Sequence, residues 1–340
     1  MSTTERTEHR GTAPVLGASA GRDVLGRRRR TSAISTGKRI TPQPADLIWF
    51  GKLLEHGPLP SSYLLAFTRH LRQSDKRATE RLTDLFNEAE TRHGGRYLER
   101  PPQQFRTLDS RYNQLVYDLA APALKALREA GETPEGIARP GGPWLHRFMV
   151  ACVTASVELA TLQRADLSYI AQHRILARAG AELRCPVAIE YPAAGRPITR
   201  DLIPDAILGL EYKTEAGSRF RFFVVECDRA TEPAMSANFN RKSWQRSLLQ
   251  YREYIGAKRY REHLKLTAPL LVLNVTTDAK RQAKMLQIAE DHAGSDGVSY
   301  QLFQVVDDFG PVFRPPSPMP QLLEAPWQRP GQSRFRIDQA

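Results

Sequence analysis

The stretch FRFFVVECDRATEP, residues 220–233, decides how this chain is read. Phe222 to Val225 is an aromatic and β-branched run, which predicts a buried strand. The run ends in Glu226, and Asp228 follows two places later. Side chains alternate faces along a strand, so Glu226 and Asp228 share a side with Phe222 and Val224, and Cys227 takes the other. Two carboxylates held close together resist ionising together unless a cation lies between them. The strand end is therefore a candidate metal site.

The preceding strand strengthens that reading. In IPDAILGLE, residues 203–211, Asp205 follows Pro204 and precedes another apolar run, and a turn at Ala216-Gly217 folds this strand back on the first. Asp205 can then face Glu226 across the pair. Asp205, Glu226 and Asp228 would supply the hard oxygen ligands that Mg²⁺ or Mn²⁺ requires. A divalent ion held there can activate water and stabilise charge on a phosphodiester. Plainer readings stand beside this one. Carboxylates that end a strand often meet water or cap the next element, and Asp205 after a proline also reads as a turn residue. Arg229 can bridge to Glu226 or Asp228, an ion pair worth little if exposed. His146 and His173 fall in helical segments with no ligand partner at useful spacing and read as surface or core residues.

Outward from this hairpin the pattern alternates. Helical segments after 144 include LSYIAQHRILARAG, and strands start near 187 with VAIEY and RDLIPDAILGLEY. A long helix over 237–262 carries Trp244, Leu248, Tyr251 and Ile255 on one stripe. Then come the strand APLLVLNVT, the helix AKRQAKMLQIAEDHA and the strand SYQLFQVV. This order predicts an α/β unit over 144–313 with a mixed sheet covered on both faces. Residues 41–135 read differently, as three helices, two short strands and one more helix. That is the order of a winged helix-turn-helix, with a recognition helix at 74–90 and a wing around 97–116. Lys76, Arg77, Arg81 and Arg96 would then face DNA. The fold class is α/β, α+β overall. Residues 1–40 are Ser, Thr, Gly and Arg rich and predict a disordered basic tail. The Pro-rich stretch 314–340 reads as a second loose or draped tail.

Bulk properties agree with a nucleic-acid partner. The 340 residues carry a formal charge of +12, and 1–40 hold nine Lys/Arg against three acids. The block Arg27, Arg28, Arg29 and Arg30 can bind phosphates without sequence preference. No stretch approaches the roughly 20 apolar residues of a membrane span, and no apolar segment follows the charged N-terminus, so no secretory signal is read. Cys152, Cys185 and Cys227 are far apart, which fits a reducing cytoplasm and neither a disulfide framework nor a zinc finger. No GxxxxGK[ST] loop points to a nucleotide-driven motor.

The Pro-Asp, spacer, Glu-x-(catalytic residue) pattern on this core resembles the PD-(D/E)xK nuclease fold. One position departs from it: Asp228 stands where that family carries its catalytic lysine, and Lys242 or Arg241 on the following helix would have to supply the charge. A closer resemblance is to the replication-relaxation family of plasmid and mobile-element proteins. Pro204, Asp205, Ala206, Phe222, Phe223, Glu226, Asp228, Arg229, Thr231, Glu232, Lys242 and Tyr251 match its pattern, and Ala230 replaces its glycine. The resemblance implies an N-terminal winged helix and a DNA-associated role in replication, relaxation or transfer, with replication or mobilisation proteins as further partners and a homodimer as one arrangement. In the enzyme reading Asp205, Glu226 and Asp228 hold the ion and Lys242 supplies positive charge. In the alternative the nuclease-like domain is inactive, and the protein is a transcription or replication regulator.

Overall fold

Local capping signals set the first elements. Helix α1 (Pro44–His56) starts on a proline and carries Asp46 at its third position, where its carboxylate accepts the Gln43 N–H at 2.8 Å. Strand β1 (Leu59–Pro60) and helix α2 (Ser61–Phe67) follow, then α3 (Asp75–Asn87), whose Ser74 cap accepts the Arg77 N–H. Strands β2 (Leu98–Glu99) and β3 (Val116–Leu119) lead to α4 (Ala121–Glu129). The three helices and the hairpin are where the sequence placed them. Strand β1 adds to them, pairing with β3 to give a small sheet in the order β1-β3-β2. The computed structural model describes residues 30–107, 110–132, 142–191, 196–292, 298–310 and 312–340.

Helix α5 (Trp144–Thr161) is apolar on every side, and each residue from Phe148 to Thr161 is buried. It is a core helix for a clear reason. One side packs on α1, α2 and β1, and the other packs on the main sheet. A single apolar cluster consequently runs from Trp49 and Leu82 through Phe148 to Phe223, Leu273 and Trp327. A polar clamp reinforces the packing of α1 on α5. His56 Nε2 lies 2.7 Å from Glu158, its Nδ1 lies 2.8 Å from Thr154, and Lys52 reaches both Glu55 and Glu158.

Beyond α5 come β4 (Leu167–Ile170), α6 (Gln172–Ala179), β5 (Cys185–Tyr191), β6 (Arg196–Leu202), β7 (Ala206–Thr214) and β8 (Gly217–Asp228). The chain continues through α7 (Trp244–Gly256), α8 (Tyr260–His263), β9 (Leu270–Thr276), α9 (Ala279–Asp291), β10 (Gln301–Val305), α10 (Gln321–Glu324), β11 (Trp327–Arg329) and β12 (Gln332–Phe335). The main sheet is mixed, in the order β12-β11-β10-β9-β8-β7-β4, with β8, β9 and β10 parallel and the other pairs antiparallel. Both faces are covered: Phe223 and Val225 join the α5 cluster, and Phe222 and Val224 join a second cluster with Leu249, Tyr251 and Tyr254 of α7.

Four expectations need correction. LSYI is a strand and not the start of a helix: its β-branched and aromatic residues pair with β7, and the helix begins after it. VAIEY and the first half of RDLIPDAILGLEY pair only with each other as the β5–β6 hairpin, because Pro204 breaks the second segment before β7. The 237–262 helix starts only at Trp244, where Ser243 caps it by accepting the Arg246 N–H. Finally, the Pro-rich stretch from 314 is not a loose tail. It supplies the last two strands at one side of the main sheet, β11 and the edge strand β12, and Met319, Leu322, Leu323, Trp327 and Ile337 are buried in the main cluster. Prolines shape its path while its apolar residues fill the core. Residues 30–40 likewise lie against α3: the Thr36 N–H donates to Glu88 at 2.9 Å and Lys38 pairs with Asp84. The rest of that N-terminal stretch falls outside the described residues.

The buried C-terminal strands yield the first prediction. Trp327 is fully buried and its indole N–H donates to the Leu322 carbonyl at 3.0 Å. Trp327→Ala is expected to cost about 3–5 kcal/mol of folding stability, read as a lowered denaturant midpoint; a loose tail would leave the midpoint unchanged.

Candidate functional site

The site is built by two strand ends. The β7–β8 register pairs Ala206 with Val225 and runs to Thr214 with Gly217. Asp205 stands just before β7, close enough to Glu226 for the two charges to repel. The Asp205 N–H donates to the Val225 carbonyl at 3.1 Å, which ties the residue before β7 to the end of β8. Asp205 Oδ2 accepts the Cys227 N–H at 2.8 Å, and Oδ1 lies 2.9 Å from His146 Nε2 on the first turn of α5. Glu226 accepts the hydroxyl proton of Tyr251, a fully buried residue of α7.

Electrostatics sharpen this picture. Burial, and next the neighbouring Asp205 charge, push the Glu226 acid up to about 8, although Tyr251 and Lys242 act in the opposite sense. Lys242 stands at the rim with its side chain 49% exposed, 3.3 Å from Glu232. Burial alone would lower its ammonium, but Glu226, Glu232 and Asp205 together raise it. The hydrogen bond to Asp205 raises the His146 imidazolium against the effect of burial.

Asp228 does not join them. Its carboxylate is taken by Arg281 of α9, at 2.9 Å from Nε and 2.6 Å from Nη2, and the pair is nearly inaccessible. Arg281 also donates to the Glu232 carbonyl, so this ion pair ties the end of β8 to α9. Asp228 additionally accepts the N–H of Ala230, which adopts φ 55°. That left-handed turn explains why the family pattern carries glycine at this position. Asp205, Glu226 and Asp228 thus do not gather as three ligands. Among the described residues, Glu55, His56 and Glu158 are the group whose ligand atoms lie within 4.8 Å of one another, and there the Lys52 ammonium already compensates both carboxylates.

A cleft of about 1190 Å³ opens beside the strand ends, lined by His146, Asp205, Arg229, Glu232, Lys242 and Arg246 among others. The sequence pattern does not reveal three of these. His146 carries no signal, because its partner lies 59 residues away. Arg229 is expected to bridge to Glu226 or Asp228, and no such ion pair is present among the described residues. Arg246 belongs to a helix stripe and shows nothing more.

The cations expected to face DNA divide in two. Lys76, Arg77 and Arg96 are exposed. Arg81 is instead committed to the wholly buried Asp46, 2.7 Å from Nη2, which Arg72 also reaches at 3.2 Å. Arg30 donates to the carbonyls of Ser110, Arg111 and Asn113 and so organises the loop before β3. Arg27, Arg28 and Arg29 lie outside the described residues. No helix among the described residues is long and apolar enough to cross a membrane.

Comparison places this geometry in a family. The replication-relaxation model matches residues 50–270, from the middle of α1 to the first residue of β9. The chain belongs to the replication-relaxation family, which points to a role in replication or relaxation of mobile elements. No curated protein and no solved structure matches it.

These charges make the stability testable at two places. Glu226 binds its proton more tightly in the folded chain than in the unfolded one, so stability should fall as pH rises from about 4.5 to 8. Its share of the slope is at most about 1.4 kcal/mol per pH unit. Glu226→Gln should flatten the profile in that window, measured as the difference between the two proteins in urea titrations. Arg81→Gln should lower stability by about 3 kcal/mol by exposing the buried Asp46 charge, seen as a reduced midpoint at pH 7; a purely DNA-facing arginine would show none.

Proposed function

We propose that this protein binds DNA of a mobile element and cleaves it with a divalent metal ion, in replication, relaxation or transfer. One observation carries the reading: the Asp205 and Glu226 carboxylates are neighbours where β7 starts and β8 ends, and the Lys242 charge acts on both at the edge of an open cleft. The donor set fits Mg²⁺ or Mn²⁺. Such ions bind through one or two carboxylates and keep water and substrate phosphate in their other positions, so the loss of Asp228 to Arg281 leaves enough ligands. When bound, the ion would activate water and offset charge on the phosphodiester.

The chain's own groups have distinct tasks in this reading. The Cys227 N–H and His146 fix the Asp205 carboxylate, and the Tyr251 hydroxyl fixes Glu226. Lys242 presents positive charge at the rim, where the fold family has its lysine two residues after the glutamate. The order α1-β1-α2-α3-β2-β3 supports a winged helix that offers Lys76 and Arg77 of α3 to duplex DNA and the β2–β3 hairpin to its backbone. Arg96 adds to that face.

A second reading has one observation in its favour. Asp228 replaces the usual lysine and is locked to Arg281, as suits a nuclease-like scaffold that has become a replication or transcription regulator. Supercoiled plasmid incubated with Mg²⁺, Mn²⁺ or EDTA separates the two. Metal-dependent nicking should appear with wild type and fall at least 100-fold in Asp205→Asn and Glu226→Gln, while Asp228→Asn loses mainly stability. A gel shift in Ca²⁺ without nicking in any lane would leave the regulator.

A further inference from the structure

Among the described residues, Arg229 and Arg246 are arginines without an anion. Elsewhere several guanidinium groups near the interior are held by carboxylates, Arg281 by Asp228, Arg72 and Arg81 by Asp46, and Arg164 by Asp166 and Asp338, while Arg30 and Arg329 are held by backbone carbonyls. Arg229 leaves the end of β8 half-buried, with no ion pair among the described residues, and its Nε is buried without a hydrogen-bond partner. Arg246, in the first turn of α7, reaches only the Phe239 and Asn240 carbonyls, at 3.3 and 3.4 Å, and its Nε is likewise buried and unpartnered. A cation withdrawn from water without a counter-charge is costly. Burial lowers both guanidinium groups; at Arg246, Arg200 adds repulsion and Glu232 opposes it in part.

Both arginines line the cleft that holds Asp205 and Lys242. A guanidinium fork matches phosphate oxygens in geometry and in charge. Leu176, Leu183 and the exposed Ile203 also line the cleft and give apolar surface against which bases can lie. A cleft of about 1190 Å³ has room for a few nucleotides of one strand. We infer that this cleft binds a short stretch of single-stranded DNA, with Arg229 and Arg246 gripping its backbone phosphates next to Asp205 and Glu226. The inference rests on the proposed DNA-cleaving function and deepens it. Duplex DNA docks on α3, and the strand to be cut must be unpaired before it enters the site.

The test uses the full chain in Ca²⁺, with fluorescence anisotropy of a labelled dT8 strand and of a blunt 20-base-pair duplex. For Arg229→Gln/Arg246→Gln, dT8 affinity should fall at least 30-fold and duplex affinity change less than threefold. The dependence of log affinity on log salt for dT8 should flatten by about 0.7 for each phosphate that the variant no longer neutralises. Arg229→Lys should keep part of the dT8 affinity. Neither charge makes an ion pair among the described residues, and Arg246 adds only two long carbonyl bonds, so the double variant should melt within about 2 °C of wild type, which separates a ligand role from a structural one. Unchanged dT8 binding, equal losses on both DNAs, or a larger fall in melting temperature would overturn the inference. If wild type nicks plasmid while dT8 binding ignores both arginines, only the inference fails. If wild type binds neither DNA, the proposed function fails and the inference falls with it.

Discussion

The antiparallel register of β7 on β8 is the constraint on which the rest depends. A slip of one residue would turn every side chain of one strand to the other face. Phe222 and Val224 would leave α7, Phe223 and Val225 would leave α5, and Asp205 would no longer meet Glu226. Gly209 pins this register. It lies opposite Phe222, and a Cβ there would come within 2.8 Å of the phenyl ring. The apolar layers on both faces and the placement of the carboxylates are therefore one decision made by one pairing.

The chain treats its acidic groups in two ways. Asp46, Glu158 and Asp228 are held by arginine or lysine, which spends their charge on cohesion. Asp205 and Glu226 are held by a backbone N–H, an imidazole and a phenol, which fix their orientation without a permanent full counter-charge beside them. The outcome is a pair of oriented carboxylates whose mutual repulsion shows in the raised Glu226 acid. Arg229 and Arg246 mirror them as cations without anions among the described residues. Such incomplete pairing is costly in folding terms, and both pairs meet at one cleft.

Much of the fold was legible from local pattern. The run at 222–225 announced its strand, and the stripe at Ala78, Leu82, Leu85 and Phe86 announced α3. The misreadings share a cause. LSYI and the residues after 314 are short segments whose state is set by partners far along the chain, β7 for one and β10 for the other. The coil before Trp244 had helical composition, but Ser243 caps the helix there and the backbone before it takes another path.

Sequence by itself determined the alternation of elements, the family, and which carboxylates lie on one face of β8, because strand periodicity and chemical type are local properties. Only the tertiary structure decided which of those charges are spent. Asp228 turned to an arginine 53 residues away, Arg81 to an aspartate on α1, and His146 to Asp205 across the fold. The physical reason is range. Coulombic and hydrogen-bonding partners are chosen in space among residues far apart in the chain, and no spacing along it records that choice.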